Sequence, residues 1–197
     1  MKKRVLVSGG AGYIGSHVSV ELINSGYDIV VADNMSNCDL TCFEGVKKIT
    51  GREDIPFVKM DFCDMEAVNR LFDEYRIDAV IHFAAFKAVG ESVAKPVLYY
   101  KNNLSSFLNV LEAAMGHGGC NVLFSSSATV YGEAEKLPVT EQSPRLPAID
   151  AQRLAARARA RAVVAVQRDV RRRVEAAAAA PFDGKAFRPF LQIDSLP

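Results

Sequence analysis

The sequence holds no Cys-x-x-Cys pair, no histidines at metal-ligand spacing and no long apolar run, and each absence removes a class of protein. Cys38, Cys42, Cys63 and Cys120 are scattered, so neither zinc nor a disulfide framework is indicated. Free thiols in the core or in loops are the expectation. No stretch approaches the roughly 18 apolar residues of a membrane span. The basic start Met1-Lys2-Lys3-Arg4 leads into an apolar run that stops at Ser8-Gly9-Gly10, too short for a signal-peptide core, and cytoplasm is the expected location. His17, His82 and His117 lack a second ligand or a nucleophile at a telling spacing and read as structural. No internal repeat is visible.

What is present describes a folded domain with a foreign end. A chain of 197 residues, 49% hydrophobic and 24% charged, can bury one core. The net charge of +1 conceals an asymmetry. Residues 1–148 carry 14 Lys and Arg against 18 Asp and Glu, a net −4, whereas residues 149–197 carry 10 against 5, a net +5.

Strand and helix signals alternate through the first part. Residues 4–8 form a short buried strand. Residues 13–25 follow as a helix with Ile14, Val18 and Leu22 at helical spacing and Gly26 as its stop. Asp28 to Ala32 is a second buried strand, Phe43 to Ile49 a short helix, and Pro56 to Met60 a third strand. Met65, Val68, Leu71, Phe72 and Tyr75 make the buried stripe of another helix. Ala79 to Phe83 is the fourth strand, and a long helical stretch, interrupted near Pro96, runs to Met115. Asn121 to Phe124 is the fifth. Strands alternating with helices of this length imply a Rossmann-like, doubly wound parallel α/β sheet with right-handed crossovers. It is truncated after about the fifth strand.

The glycine-dense turn between the first strand and its helix carries the chemistry. Gly9, Gly12 and Gly15 supply a tight turn, close approach of the backbone to phosphate, and close packing of helix on strand. The first-turn amides then face an anion. Asp33 ends the second strand 18 residues beyond Gly15, where a carboxylate accepts hydrogen bonds from adenosine ribose hydroxyls and repels a 2′-phosphate, so NAD is favoured over NADP. In such a sheet ligands sit off the carboxyl ends of the strands. The segment Phe83 to Ser92 after the fourth strand and Ser125 to Gly132 after the fifth therefore border the same site.

Five stretches together carry a resemblance. They are Gly9 to His17, Asp33-Asn34, His82 to Ser92 with its Lys87-Ala88-Val89-Gly90-Glu91-Ser92, Tyr99-Tyr100-Lys101-Asn102-Asn103, and Ser125 to Gly132. Over residues 3 to about 148 the chain resembles the UDP-glucose 4-epimerases of the extended short-chain dehydrogenase/reductase family. The resemblance implies bound NAD, a nucleotide-sugar substrate and interconversion of UDP-glucose with UDP-galactose through a 4-keto sugar. It also implies a homodimer. It assigns Tyr13, Ile14, Asp33, Asn34, Asn37, Asp61, Phe62, Phe83, Ala84, Lys87 and Asn102 to NAD. Ser127 is assigned to the reacting sugar hydroxyl, with Thr129 nearby and Lys87 also within the substrate site.

The chain departs from that pattern after residue 148. The family's base belongs to a Tyr-x-x-x-Lys motif whose tyrosine is expected near Gln152 and whose lysine near Ala156. No tyrosine follows Tyr131, and after Lys136 the only lysine is Lys185. Of the 32 residues 149–180, 12 are Ala and 8 are Arg. Such a step at one point is what reading GC-rich coding sequence in another frame produces, and a frameshift or junction near residue 148 is inferred. Ala and Arg favour a helix over about 152–180, with Val163, Val166, Val170 and Val174 at helical spacing, then coil from 182. The tail is not expected to be an independent domain, and loss of the usual covering helix predicts marginal solubility. Two other readings stay open. Arg157, Arg159, Arg161 and Arg171-Arg172-Arg173 could form a nucleic-acid-binding arm, or an active relative could use Ser127 or Lys87 in place of the missing tyrosine.

Overall fold

The short apolar runs become strands because their residues are wanted on two faces at once. In a computed structural model, described here for residues 2–126, 131, 138–140 and 142–143, the first strand is β1 (Arg4–Ser8). It is followed by α1 (Tyr13–Asn24), β2 (Asp28–Asp33), α2 (Thr41–Thr50), β3 (Phe57–Lys59), α3 (Met65–Glu74) and β4 (Ala79–His82). Then come α4 (Val89–Ala94), α5 (Pro96–Gly116) and β5 (Asn121–Phe124). All five strands are parallel and lie in the order β3-β2-β1-β4-β5. The expected doubly wound sheet is thus present.

The alternation along β2 shows why the strand is apolar throughout. Ile29 and Val31 pack with Phe43, Val46 and Ile55, with Val20, Leu22 and Ile23 of α1 at the margin. Val30 and Ala32 point into the other layer, with Leu6, Val68, Leu71, Phe72, Val80, Val110, Ala113 and Ala114. A strand buried on both faces has no room for a polar alternation. Truncating Leu71, which is almost fully buried in the α3–α5 layer, to Ala is expected to cost about 2–5 kcal/mol.

The element boundaries follow local chemistry. Asp64 caps α3 by accepting from the Glu66 and Ala67 amides at 3.0 and 3.2 Å. Gly26, at φ +86°, closes α1 as expected, its N–H bonding Ile23 O at 2.9 Å. Pro56 immediately precedes β3, an edge strand, where a missing donor costs no ladder bond. The helical stretch broken near Pro96 resolves into α4 and α5.

The expected first helix is present, and its fully buried residues are Gly15, Ser16 and Ser19, while Leu22 packs at the margin of the core and Ile14 is 51% exposed. The helix lies so close to the sheet that only small side chains fit beneath it.

The described residues form two compact units, one of residues 2–86 with 99–125, the other of 87–98 with those described from 126 to 143. In the second unit α4 carries a Lys95–Glu91 ion pair at 3.1 Å, and the Ser92 hydroxyl donates to Val89 O at 2.7 Å. Ser127, Thr129, the positions Gln152 and Ala156, and the Ala/Arg-rich tail with its arginines lie outside the described residues.

Candidate functional site

The sheet order locates the site before any side chain is considered. The chain runs outward from β1 through β2 and β3, then returns to place β4 and β5 on the other side, so the switch point lies off the carboxyl ends of β1 and β4. The glycine turn leaves β1 at this point.

Three of the four glycines there are required by contact with something specific. Gly9 sits at φ +73°, and a Cβ on it would lie 2.7 Å from Ala84 N and 2.9 Å from Phe83 C. Gly15 can carry no Cβ because it would meet Gly9 O and, at 2.6 Å, Gly10 Cα. Gly10, to which the sequence reading gave no role, is equally confined: its Cβ would meet Val31 Cγ1 at 2.8 Å and Val7 O at 2.9 Å. Gly12 differs, since a Cβ there meets only Gly9 O, at 3.3 Å. Packing within the protein therefore demands three of the glycines, and the fourth is bare toward open space.

The helix that follows is left uncapped. Gly12 provides no side-chain cap, no acidic residue lies in the first turn, and the first intrahelical bond runs from Ser16 N to Gly12 O at 2.9 Å. The amides of Tyr13, Ile14 and Gly15 thus have no intrahelical acceptor. By contrast α3 has Asp64 and Glu66 at its start. The first turn of α1 itself carries no acidic side chain against the partial positive charge at its start.

Asp33, 6% exposed at the end of β2, braces this turn. Its Oδ2 accepts from Ala11 N at 3.2 Å and its Oδ1 from Met35 N at 2.9 Å, with the Cys38 thiol donating to Oδ1 at 3.7 Å. A carboxylate offers about four acceptor positions, so these bonds do not exhaust it. Met35 supplies its amide from a left-handed conformation, φ 62°, unusual for a side chain of its size. Burial, then the neighbouring Asp33 carboxylate, pushes the Cys38 thiol up to about 11. Asn34 is half-buried and Asn37 exposed on the same loop.

Asparagines on α5 hold the remaining loops. Asn103 grips the backbone of Phe86 twice, its Oδ1 accepting from Phe86 N at 2.8 Å and its Nδ2 donating to Phe86 O at 2.9 Å. Asn102 donates to Asn103 Oδ1 at 2.9 Å, and the Cys63 thiol reaches Asn102 O at 3.5 Å. Asn109 donates to Phe62 O at 2.9 Å. Asp61, exposed, turns its own loop by accepting from Cys63 N at 2.8 Å. Phe62 is 3% exposed with its ring in the core, so its outward contribution is backbone. Phe83 and Ala84 are half-buried beside Gly9; Lys87 is exposed in the second unit. Asn103 lies in the Tyr99 to Asn103 stretch that carries the resemblance but was given no role there, and Asn109 was not singled out from sequence. Their one signal is that asparagine is a poor helix former recurring within a helix.

The histidines divide. His17 Nδ1 contacts Tyr13 O at 2.7 Å and His117 Nε2 contacts Asp73 at 2.9 Å, both near the surface. His82 is buried, its Nδ1 2.7 Å from Ser8 Oγ and its Nε2 without a partner. Among the described residues no group of histidine, cysteine and carboxylate could hold a metal. The four cysteines are unpaired, as expected. No described helix is long and apolar enough to cross a membrane.

Comparison with known proteins agrees with this geometry. A UDP-glucose 4-epimerase of Bacillus subtilis is 55% identical over 140 residues, covering 71% of this chain and 41% of that protein. UDP-glucose 4-epimerase 2 of Arabidopsis thaliana is 49% identical over 146 residues, covering 73% and 42%. The crystal structure of the Bifidobacterium longum UDP-glucose 4-epimerase, in complex with NAD+ and UDP, superposes with a TM-score of 0.73 at 40% identity, covering 91% of this chain and 50% of that one. The chain spans about two fifths of the length of these curated relatives. The resemblance read from the motifs holds for this segment. The model of the GDP-mannose 4,6 dehydratase family matches residues 6–149, well over half of the sequence, and the chain belongs to that family.

Proposed function

We propose that residues 1–148 are the NAD-binding half of a nucleotide-sugar epimerase of the UDP-glucose 4-epimerase kind. The observation that carries this is the glycine turn. Three of its glycines are packed against the protein's own backbone and side chains, whereas Gly12 is bare beside three amides without an intrahelical acceptor, in a first turn that carries no acidic residue. A pyrophosphate fits that cradle.

Each residue would contribute in its own way. Tyr13, Ile14 and Gly15 would donate amides to phosphate, with the positive end of α1 behind them. Asp33 would accept from the adenosine ribose with its remaining lone pairs and exclude a 2′-phosphate. Asn34, Asn37, Asp61 and the backbone of Phe62 would line the adenosine side, and Phe83, Ala84, Lys87 and Asn102 the nicotinamide side. When bound, NAD supplies reversible hydride acceptance. Ser127 and Thr129, with Lys87, would hold the sugar hydroxyls of a UDP-hexose.

The base that works with those residues in the relatives has no counterpart in this sequence, which carries no Tyr-x-x-x-Lys after Tyr131. A phenol titrates near 10 and needs an adjacent cation to act at neutral pH, and neither Ser127 nor Lys87 replaces that pair. The chain as given is therefore read as a cofactor binder without turnover, and the homodimer implied by the resemblance is not carried over to a chain with this tail. Equilibrium dialysis with NAD and with NADP tests the first claim, with saturable binding of NAD and weaker binding of NADP expected. No uptake of NAD at millimolar concentration refutes it. Interconversion of UDP-galactose by the purified chain would refute the second.

A further inference from the structure

We propose that His82 is a positioning residue: through the Ser8 hydroxyl it fixes the end of β1 against the end of β4, and so sets the height of the glycine turn over Phe83 and Ala84. The inference rests on the reading of that turn as a dinucleotide site and assigns a task to a residue outside it.

The placement is specific. Ser8 and His82 face each other in the parallel register of β1 and β4, each the last residue of its strand. They are 0% and 1% exposed, and Oγ lies 2.7 Å from Nδ1. The chain continues directly from Ser8 into Gly9 and from His82 into Phe83 and Ala84. There the two backbones approach so closely that a Cβ on Gly9 would lie 2.7 Å from Ala84 N. Phe83 N donates to Ser8 O at 2.9 Å and Ser125 N to His82 O at 3.1 Å, so this one pair registers three strand ends. A shift of a few tenths of an ångström between β1 and β4 is transmitted to the turn undiluted.

The chemistry of the pair defines the imidazole's state. Its neighbours are Phe62 of the loop after β3, edge-on at 5.9 Å, Phe107 of α5 at 5.7 Å and Phe124 of β5 at 6.1 Å. Apart from Ser8 of β1, none of these offers a polar side chain, and none is titratable. Nε2 has no hydrogen-bond partner among the described residues, and the side chains around the ring other than Ser8 are aromatic. An N–H tolerates an aromatic face, whereas a bare lone pair is repelled by one. The proton accordingly belongs on Nε2, and the Ser8 hydroxyl donates to Nδ1. Protonating Nδ1 would require Ser8 to turn its hydrogen away and would place a charge inside the phenylalanine cage. Burial pushes the imidazole down to about 4, only partly opposed by the Ala84 backbone.

The test uses the full chain and three variants. In the wild type, nitrogen NMR of the imidazole is expected to report the Nε2–H tautomer; an Nδ1–H tautomer overturns the proposal without any mutation. Ser8→Ala removes the donor, and the amide signals of Gly9 and Ala84 should move while the melt stays cooperative. NAD should bind about tenfold more weakly, the consequence of one buried acceptor left unpaired beside the turn. Because the hydroxyl's donation favours the neutral ring, the same variant should lose NAD at a higher pH than wild type. Ser8→Thr should restore affinity and pH profile, and His82→Phe should abolish this acid-induced loss. Unmoved Gly9 and Ala84 amides in a folded Ser8→Ala chain, with an unchanged pH profile, overturn it. If the wild-type chain binds no NAD, the cofactor reading fails by itself, and the amide displacements and the tautomer decide the positioning role.

Discussion

The separation of the glycines into three that the fold needs and one that it does not need gives the sharpest prediction. Gly9→Ala forces an L side chain to φ +73° at about 1–2 kcal/mol. It also drives a methyl into Ala84 N at 2.7 Å, an overpacking of about 1–3 kcal/mol. Stability should fall by about 2–5 kcal/mol in all, a large part of what a domain this size possesses. Gly12→Ala meets only Gly9 O at 3.3 Å from an ordinary extended conformation, φ −74° and ψ 172°. Its stability should stay within about 1 kcal/mol of wild type, because the loss of unfolded-state freedom offsets the contact. The same methyl would stand where a phosphate must approach. Losing a charge-assisted amide contact should weaken NAD about 10- to 100-fold. Urea titration followed by NAD titration on both variants separates the effects. If Gly12→Ala unfolds as readily as Gly9→Ala, or binds NAD as wild type does, the division of labour in the turn is wrong.

Three further outcomes follow from the geometry. His82, neutral in the folded state with its pKa lowered from 6.5 to about 4, leaves stability intact above 6.5 and withdraws it as pH falls. The unfolded chain gains a proton that the folded one refuses, which amounts to about 2 kcal/mol by pH 5. His82→Phe should show a correspondingly flatter urea midpoint between pH 8 and 5, and an identical slope would dismiss the argument. Asn103→Leu keeps the branched shape but frees both backbone groups of Phe86, so amide exchange at Phe86 should quicken and stability drop by about 1–3 kcal/mol. Unaltered exchange at Phe86 would mean the grip is idle. The thiols of Cys38 and Cys120 are pushed up to about 11, chiefly by burial, and should alkylate slowly at pH 8 until urea unfolds the chain, while the exposed Cys42 reacts at once. Rapid labelling of Cys38 or Cys120 in the native protein would contradict this.

The sheet was legible because its signal is redundant. Val5-Leu6-Val7 and Ile29-Val30-Val31-Ala32 are apolar at every position, since both faces are covered, and each gives way to glycine or aspartate within two residues. The turn was legible because Gly9, Gly12, Gly15 and Asp33 keep a spacing that ordinary loops do not impose. What escaped has one common cause: its chemistry is carried by residues with no periodic or hydrophobic signature. The residues of α1 buried most fully are Gly15, Ser16 and Ser19, which have no hydrophobic signature, whereas the larger Ile14 is exposed. Gly10 could not be told from its neighbours until Val31 and Val7 were seen against it. Asn103 and Asn109 act on backbone 17 and 47 residues away, and the Ser8–His82 pair spans 74 residues. Nothing local encodes such a distance.

That last separation bears on how the chain acquires its structure in time. β1 is the first strand made and the central one in the sheet, yet its bonds to β4 wait for residues 79–82. The β1-α1-β2-α2-β3 portion can assemble from neighbours in sequence. The register of β1 and β4, by contrast, demands closure of a loop of more than 70 residues, a step whose entropy is met before its contacts form. During synthesis, at about 5–20 residues per second, the free edge of β1 therefore stays open for several seconds. That unpaired apolar strand is the interval in which the nascent chain is most exposed to mispairing, and its end comes when Ser8 first finds His82.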